Sequence, residues 1–583
     1  MGNTTAGRTD AVRPYRKHPH ISRVRLLPGS PFHESQLNML RFLARQDTDS
    51  LLYSFRRAAG LPTGGAEPMT GWDAEDCKLR GHTTGHYLSA VSLAYAVSGD
   101  DTYKKKAESV VTGLAECQRA MEASGKVHKG FLSAYDEEQF DLLEKLTKYP
   151  DIWAPYYTLD KIMSGLLDAY ELAGISEARD VAEPVGDWVY DRLSKLPADL
   201  RRRMWDTYIA GEYGGMTGTL VRLYRLSGRE EHLRAAELFE NEALLGPLRE
   251  GRDELDSMHA NQHIPQISGA LELYAAAGSR ENLDIVRTFE SIVTGHHCYS
   301  IGGTGEEERF RAADSECSFL TEKTAESCAS VNMLRLTARL FEYEEHARCE
   351  LMDYYELTLF NHILMSHSHC DDGGTTYFMP LAPGSCKHYE TEENSCCHGT
   401  GMESRFRFMT DIYSYEGKGE GSVLRVDLPV PSALDDEEKI TVMTSADGRL
   451  TVRADADMSA ELAVRIPAWA RENFPEAADG YMYCGRLRAG ESVSFDLPMR
   501  LRAMTSASDS DYYNLAWGPY LLAAVSEASE YMHPEVSAMS ELPGEEKGTF
   551  TDGAAIYRPL YRIDKEKYHI YFRKVSGSAA AAV

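Results

Sequence analysis

From about residue 35 to about residue 412, apolar positions recur at the three- and four-residue spacing of amphipathic helices. Several of these stretches stop on one signature. Tyr95-Ala-Val-Ser-Gly99, Tyr170-Glu-Leu-Ala-Gly174, Tyr224-Arg-Leu-Ser-Gly228 and Tyr274-Ala-Ala-Ala-Gly278 each close an apolar run with glycine. Polar residues and a second helical stretch then follow. Glycine just past the last apolar residue is the usual helix stop, so each instance marks the turn of a helical hairpin. Phe341-Glu-Tyr-Glu-Glu345 fills the equivalent place without the glycine. With an opening pair from Gln36 onward, the pattern predicts roughly six stacked hairpins. That number suggests a closed double ring, an (α/α)6 barrel, rather than an open solenoid.

Near Tyr413 the period changes to two. Val423–Leu428, Lys439–Met443, Leu450–Arg453, Leu462–Ile466, Ser492–Leu497 and Tyr568–Phe572 are short, mostly alternating runs separated by Asp, Gly and Pro. They predict an all-β module, most simply a sandwich. The expected organisation is an N-terminal extension at 1–30, the barrel at 31–412, the β-sandwich at 413–575 and a disordered tail at 576–583. Within the β module, 526–552 reads as a long loop.

A chain of 583 residues suits such a division. A formal net charge of −28 argues against nucleic acid and anionic membranes as partners, because phosphate binding needs a basic footprint. Residues 1–20 carry basic residues but no following apolar run, so they read as neither signal nor anchor. The expectation is a soluble cytoplasmic protein, with room for a homodimer. Eleven cysteines, an odd number without dense spacing, fit reduced thiols.

Candidate chemistry concentrates between residues 302 and 403. The stretch opens with Gly302-Gly303-Thr304-Gly305-Glu306-Glu307-Glu308-Arg309-Phe310, passes through Glu326-Ser327-Cys328, and closes with Cys396-Cys397-His398-Gly399-Thr400-Gly401-Met402-Glu403. Zinc accepts thiolates and a carboxylate in a tetrahedral shell. Cys396 and Cys397 are equally readable as a vicinal disulfide or as inert core thiols. Glu326 and Cys328 on one helix would point about 200° apart, so a ligand pair there needs a helix end or a distorted turn. Glu308 reads as one of three solvated glutamates. Cys298, Cys317, Cys370 and Cys386 lie close enough in sequence to be alternative ligands.

Glu308-x-Phe310, Thr321-Glu-Lys-Thr-Ala-Glu-Ser-Cys328, Asn332-Met-Leu334 and Cys396-Cys-x-Gly-Thr-Gly-Met-Glu403 together resemble the β-L-arabinofuranosidases of glycoside hydrolase families 127 and 146, the second more closely. The similarity covers nearly the whole chain and implies a closed (α/α)6 barrel followed by the β-sandwich. Position by position it implies Cys396 as nucleophile and Glu308 as acid/base. It implies a zinc ion on Glu326, Cys328, Cys396 and Cys397, and a substrate with a terminal furanose. Spacing alone leaves open whether Cys396 or Cys397 attacks.

Polar and aromatic clusters at the helix starts are the expected sugar contacts. His86 and His263 come first, with His82, Tyr156, Trp72, Asp160 and His259 behind them, and Trp153 reads as core. Three clusters depart from the family pattern. Asp160 replaces a histidine in Tyr157-Thr-Leu-Asp-Lys161, Gly214-Gly-Met-Thr-Gly218 ends in glycine rather than glutamate, and His259-Ala-Asn-Gln-His-Ile-Pro-Gln266 carries Gln-His in place of Thr-Gln. The chemistry therefore reads as kept and the sugar pocket as rebuilt. Two rivals remain at this level: a sugar isomerase or lyase on the same barrel, and a non-catalytic carbohydrate binder with a structural zinc.

Overall fold

The computed structural model describes residues 11–417, 419 and 421–575. The expected tail at 576–583 lies outside the described residues, as do the first ten positions of the expected extension. A helical N-terminal domain is followed by a sheet-rich C-terminal domain.

Six helices carry the frame of the first domain. His82–Ser98 packs on Pro155–Ala173, which packs on Met216–Ser227; Ala260–Ala277, Ser327–Tyr343 and Cys396–Arg407 continue the series, and the last returns to the first. The glycine stops work as the pattern predicts. Gly99, Gly174, Gly228 and Gly278 all cap their helices in the left-handed conformation, at φ of 67 to 76°. A side chain is disfavoured there, which is why the stops are written in glycine. The Ser327 helix instead ends on extended Glu344, where the glycine is missing.

The closest crossing in the series is made by two glycines. A Cβ on Gly85 would stand 2.2 Å from the Lys161 backbone, and one on Gly165 would stand 2.5 Å from the Gly85 carbonyl oxygen. Neither backbone can retreat without moving its helix. Gly85→Ala is expected to cost about 3 kcal/mol through overpacking, measured as a lowered urea midpoint at unchanged slope.

Three larger sheets form the second domain. In one, Glu461–Arg465 pairs in parallel with Val423–Val426. Two short strands near the N-terminus belong to these sheets. Arg16–Lys17 pairs with Tyr413–Glu416, and Val24–Leu26 pairs with Ser432–Asp435. The long loop expected at 526–552 also contains a small ladder, Ser540–Glu541 against Phe550–Thr551.

Buried polar groups lock the two domains together. Arg465, fully buried, donates to Asp353 and Glu356 of the helix Cys349–Thr358 and to the Asp427 carbonyl. Asn361, on a π-turn over Leu359–Ile363, accepts from Leu521 N at 2.7 Å and donates to Pro519 O at 2.8 Å. Buried hydrogen-bonded networks of this kind fix one relative arrangement.

Candidate active site

Two helix N-termini converge at one mouth of the helical domain. Ser395 caps the Cys396 helix by accepting from His398 N, so Cys396 and Cys397 are its first two residues. Glu326 is the residue preceding the Ser327 helix, and Cys328 lies in that helix's first turn. Ala325, at φ +49°, turns the chain sharply just before it. The pair Glu326 and Cys328 thus straddles a helix start, and the angular objection to a shared ligand site disappears. Helix N-termini favour thiolates, because unpaired N–H groups and the macrodipole face the sulfur.

The ligand atoms of Glu326, Cys328, Cys396 and Cys397 all lie within 4.8 Å of one another, and all four residues are buried. Glu326 Oε1 is 3.7 Å from Cys396 Sγ and 3.6 Å from Cys397 Sγ. Glu326 Oε2 is buried with no hydrogen-bond partner among the described residues. Three buried thiols and an orphaned buried carboxylate in one cluster are costly without a cation. The donor set fits a thiophilic metal ion, and the cluster can hold one. Cys298, Cys317, Cys370 and Cys386 are not in it.

Cys396 differs from its neighbours. Hydrogen bonds from Cys328 and Cys397 hold its thiol well below the usual range, with a further contribution from Tyr377. Burial pushes Cys328 and Cys397 up. Cys396 also lines a cavity of about 70 Å³ together with Trp72, Trp153, Tyr157, Glu212, His259, Glu308 and Tyr377.

Tyr377 joins the two reacting candidates. Its hydroxyl donates to Glu308 Oε1 and stands 3.7 Å from Cys396 Sγ. Its backbone carbonyl accepts from Ser327 N, which pins it beside Glu326. Glu308 is half-buried and hydrogen-bonded rather than freely solvated. Its backbone sits at φ +68°, and its carbonyl accepts from Ala260 N at the start of the Ala260 helix. Phe310, two residues on, is fully buried and bonded to Met258 and Ser257. His259 Nε2 lies 3.6 Å from Glu308 Oε2.

The electrostatics of the cleft follow from this crowding. Burial raises the Glu212 carboxyl to about 7 despite the neighbouring His259. Burial would lower His259, but Glu212 and then Glu308 outweigh it and raise the imidazole to about 9. A carboxyl that is only partly ionised and an imidazolium therefore face the same space near neutral pH.

Of the expected sugar contacts, Trp72 and His259 line the cleft. Trp72 packs on Trp153 and Tyr377 with ring centroids 4.9 and 5.9 Å away, and Trp153 is a cleft wall rather than core. Tyr156 is fully buried against Phe140, Trp205 and Phe239, while its neighbour Tyr157 faces the cleft. His86 bonds Glu403 at 2.7 Å under Gly399. His82 is fully buried and bonds Leu79 O. His263 bonds His259 O, and burial lowers it to about 4. Asp160 accepts from Thr219 and from Gly215 N. These four stand outside the cleft wall and brace the helix starts. Glu212, Asn261, Tyr157 and Tyr377 were not singled out from the sequence. Tyr157 and Asn261 lie in two of the clusters that depart from the family pattern, Glu212 stands two residues before the third, and nothing local marks Tyr377.

A family model described as the β-L-arabinofuranosidase GH127 catalytic domain matches residues 23–409. The chain belongs to glycoside hydrolase family 127. This family 127 chain is a glycosidase. Among curated proteins, none matches the sequence. A solved GH127 β-arabinofuranosidase is 16% identical, with 97% of this chain and 99% of that one covered at a TM-score of 0.72. A GH127 β-L-arabinofuranosidase from Geobacillus stearothermophilus T6 is also 16% identical, with 95% and 100% covered and a TM-score of 0.68. At these identities the likeness is one of fold, and it extends through both the helical and the sheet-rich domains.

Proposed function

We propose that the protein is a retaining glycosidase that releases a terminal furanosyl residue, β-L-arabinofuranose, with Cys396 as nucleophile and Glu308 as acid/base. The observation that carries this reading is the Tyr377 hydroxyl, which touches both groups at the cavity wall. Retaining enzymes need such closeness, with the two groups about 5 to 5.5 Å apart, whereas inverting enzymes leave room for a water between them.

In the first step Cys396 Sγ attacks the anomeric carbon as the glycosidic C–O bond breaks. Glu308 gives its proton to the departing oxygen, leaving a glycosyl thioether on Cys396. In the second, Glu308 takes a proton from water, whose oxygen attacks the anomeric carbon. The C–S bond then breaks and the thiolate returns. A zinc ion held by Glu326, Cys328, Cys396 and Cys397 would keep the Cys396 sulfur ionised and in place. Tyr377 holds Glu308 toward the reacting bond, and Trp72, Trp153 and Tyr157 supply the aromatic walls of a sugar pocket. His86, His82, His263 and Asp160 act one layer out.

The cyclic packing of the six helices supports an (α/α)6 barrel across residues 31–412, and the paired sheets support a β-sandwich module at 413–575 that braces it. The test is turnover and intact mass with a panel of p-nitrophenyl furanosides. Release from the β-L-arabinofuranoside with a transient gain of one pentose is expected. No release from any furanoside by metal-replete protein would end the proposal. Chelation should abolish activity and lower the melting temperature together, and zinc should restore both. The scale is set by the roughly 10–16 kcal/mol of structural zinc sites.

A further inference from the structure

Four of the six helices, Pro155–Ala173, Met216–Ser227, Ala260–Ala277 and Ser327–Tyr343, line a second cavity of about 280 Å³, several times the roughly 30 Å³ of a water in the liquid. Lys161, Pro265 and Asn332 line both this cavity and the narrow waist that leads to the cleft. Its wall carries Lys161, Arg222, Arg225, Arg335 and Arg339 against only two carboxylates, Asp160 and Glu272.

Four of these five cations are satisfied. Arg222 bonds Asp168 and Glu171, Arg225 and Arg339 share Glu272, and Lys161 is 3.1 Å from Asp160. Arg335 is the exception. It is exposed to the cavity, and no hydrogen bond or salt bridge among the described residues reaches its guanidinium. The acids nearest it are already engaged. Glu403 is held by His86 and Arg407, Asp168 by Arg407 and Arg222, and Asp160 by Thr219 and Gly215. Burial, followed by the charge of Arg407, lowers the Arg335 guanidinium from its ordinary value. Arginine nonetheless stays protonated in proteins. An unpaired cation among four others on one wall is repelled by them, and an anion in the same space relieves that repulsion.

We infer that this cavity is a binding site for a small oxyanion of the phosphate or sulfate class, seated on Arg335. The planar fork of a guanidinium matches two oxygens of such an ion at once. Ser268 and Asn332 on the same wall offer neutral polar groups. Asn332 also donates its amide to Asn261, a cleft residue, at 2.8 Å. Arg335 is one turn further along the same helix, so a single side-chain pair connects the anion site to the cleft.

The test is calorimetric titration of the metal-replete protein with sodium phosphate and then sodium sulfate, each against sodium chloride at matched ionic strength. One saturable site for an oxyanion, without an equal response to chloride, is expected. Arg335→Met should weaken it about tenfold or more, the scale of a lost charged hydrogen bond. Gly218→Glu offers an independent check that keeps Arg335. A Cβ on Gly218 has open space, its nearest neighbour being Glu272 Cγ at 3.7 Å, and the new carboxylate would occupy the anion's place. That variant should also lose binding, and it carries the test if Arg335→Met does not fold. Absence of saturable binding by wild type overturns the inference. So does an equal response to chloride, or undiminished affinity in the folded variants.

Discussion

Cys396→Ser is expected to lose about 10⁴-fold or more in kcat and to show no pentose adduct in its intact mass, while still binding substrate. The reasoning lies in how the three thiols are placed. All occupy first turns of converging helices, yet Cys396 alone lines the cleft and has its thiolate favoured by hydrogen bonds from Cys328 and Cys397. A serine hydroxyl in the same place is far less acidic. It also donates less well to a thiophilic metal. Metal content and melting temperature must therefore be measured with activity, since a variant that lost its metal would be inactive for another reason. Cys397→Ser provides the contrast. It removes one buried donor and leaves the cleft-facing sulfur, so an adduct should still form on the protein that retains metal. An adduct on Cys396→Ser and none on Cys397→Ser would reverse the assignment.

Glu308→Gln is the second large effect, with kcat expected to fall about 10²- to 10⁴-fold, the usual worth of a positioned acid/base. The amide keeps the size of the side chain and can still meet Tyr377, so folding should be preserved. The two steps of the reaction then separate. Formation of the thioether with a good leaving group such as p-nitrophenolate needs little protonation, whereas its hydrolysis needs a base. The variant should therefore accumulate the adduct, and azide, which attacks without giving up a proton, should restore turnover and yield a glycosyl azide. Equal loss in both steps with no azide rescue would show that Glu308 positions substrate and does not transfer protons.

The helix series was legible in the sequence because its punctuation is chemical. Gly99, Gly174, Gly228 and Gly278 occupy a backbone conformation that other residues enter at a cost, so the stop and the residue type are one signal. The Glu326, Cys328, Cys396 and Cys397 cluster was legible as a family pattern, although its geometry was not. The placement of Glu326 ahead of a helix depends on the turn at Ala325, and nothing in alanine announces φ +49°. Glu308 is the same case, since its role depends on the Ala260 amide that fixes its carbonyl. Tyr377 comes from a short segment whose only distinction is its position beside Glu326 after a long return. Tyr156 and Tyr157 show the limit of local pattern. On a helix start, one residue is about 100° of rotation, enough to send one ring into the core and the other into the cleft. The histidines drew attention by type, yet His86, His82 and His263 each spend the Nδ1 hydrogen bond on the frame.

The pairing of Arg16–Lys17 and Val24–Leu26 with strands from beyond residue 412 has a consequence for how this enzyme can be divided. The sheets form a discontinuous unit, and the catalytic ring is an insertion between its first strands and the rest. The polypeptide passes between the two parts twice, once on the way in and once on the way out. Severing it after the Cys396 helix would strip an edge strand from each of two sheets and expose unpaired backbone of the kind that drives aggregation. The separable module is therefore the ring on its two tethers, and any transplant of the chemistry has to carry both crossings.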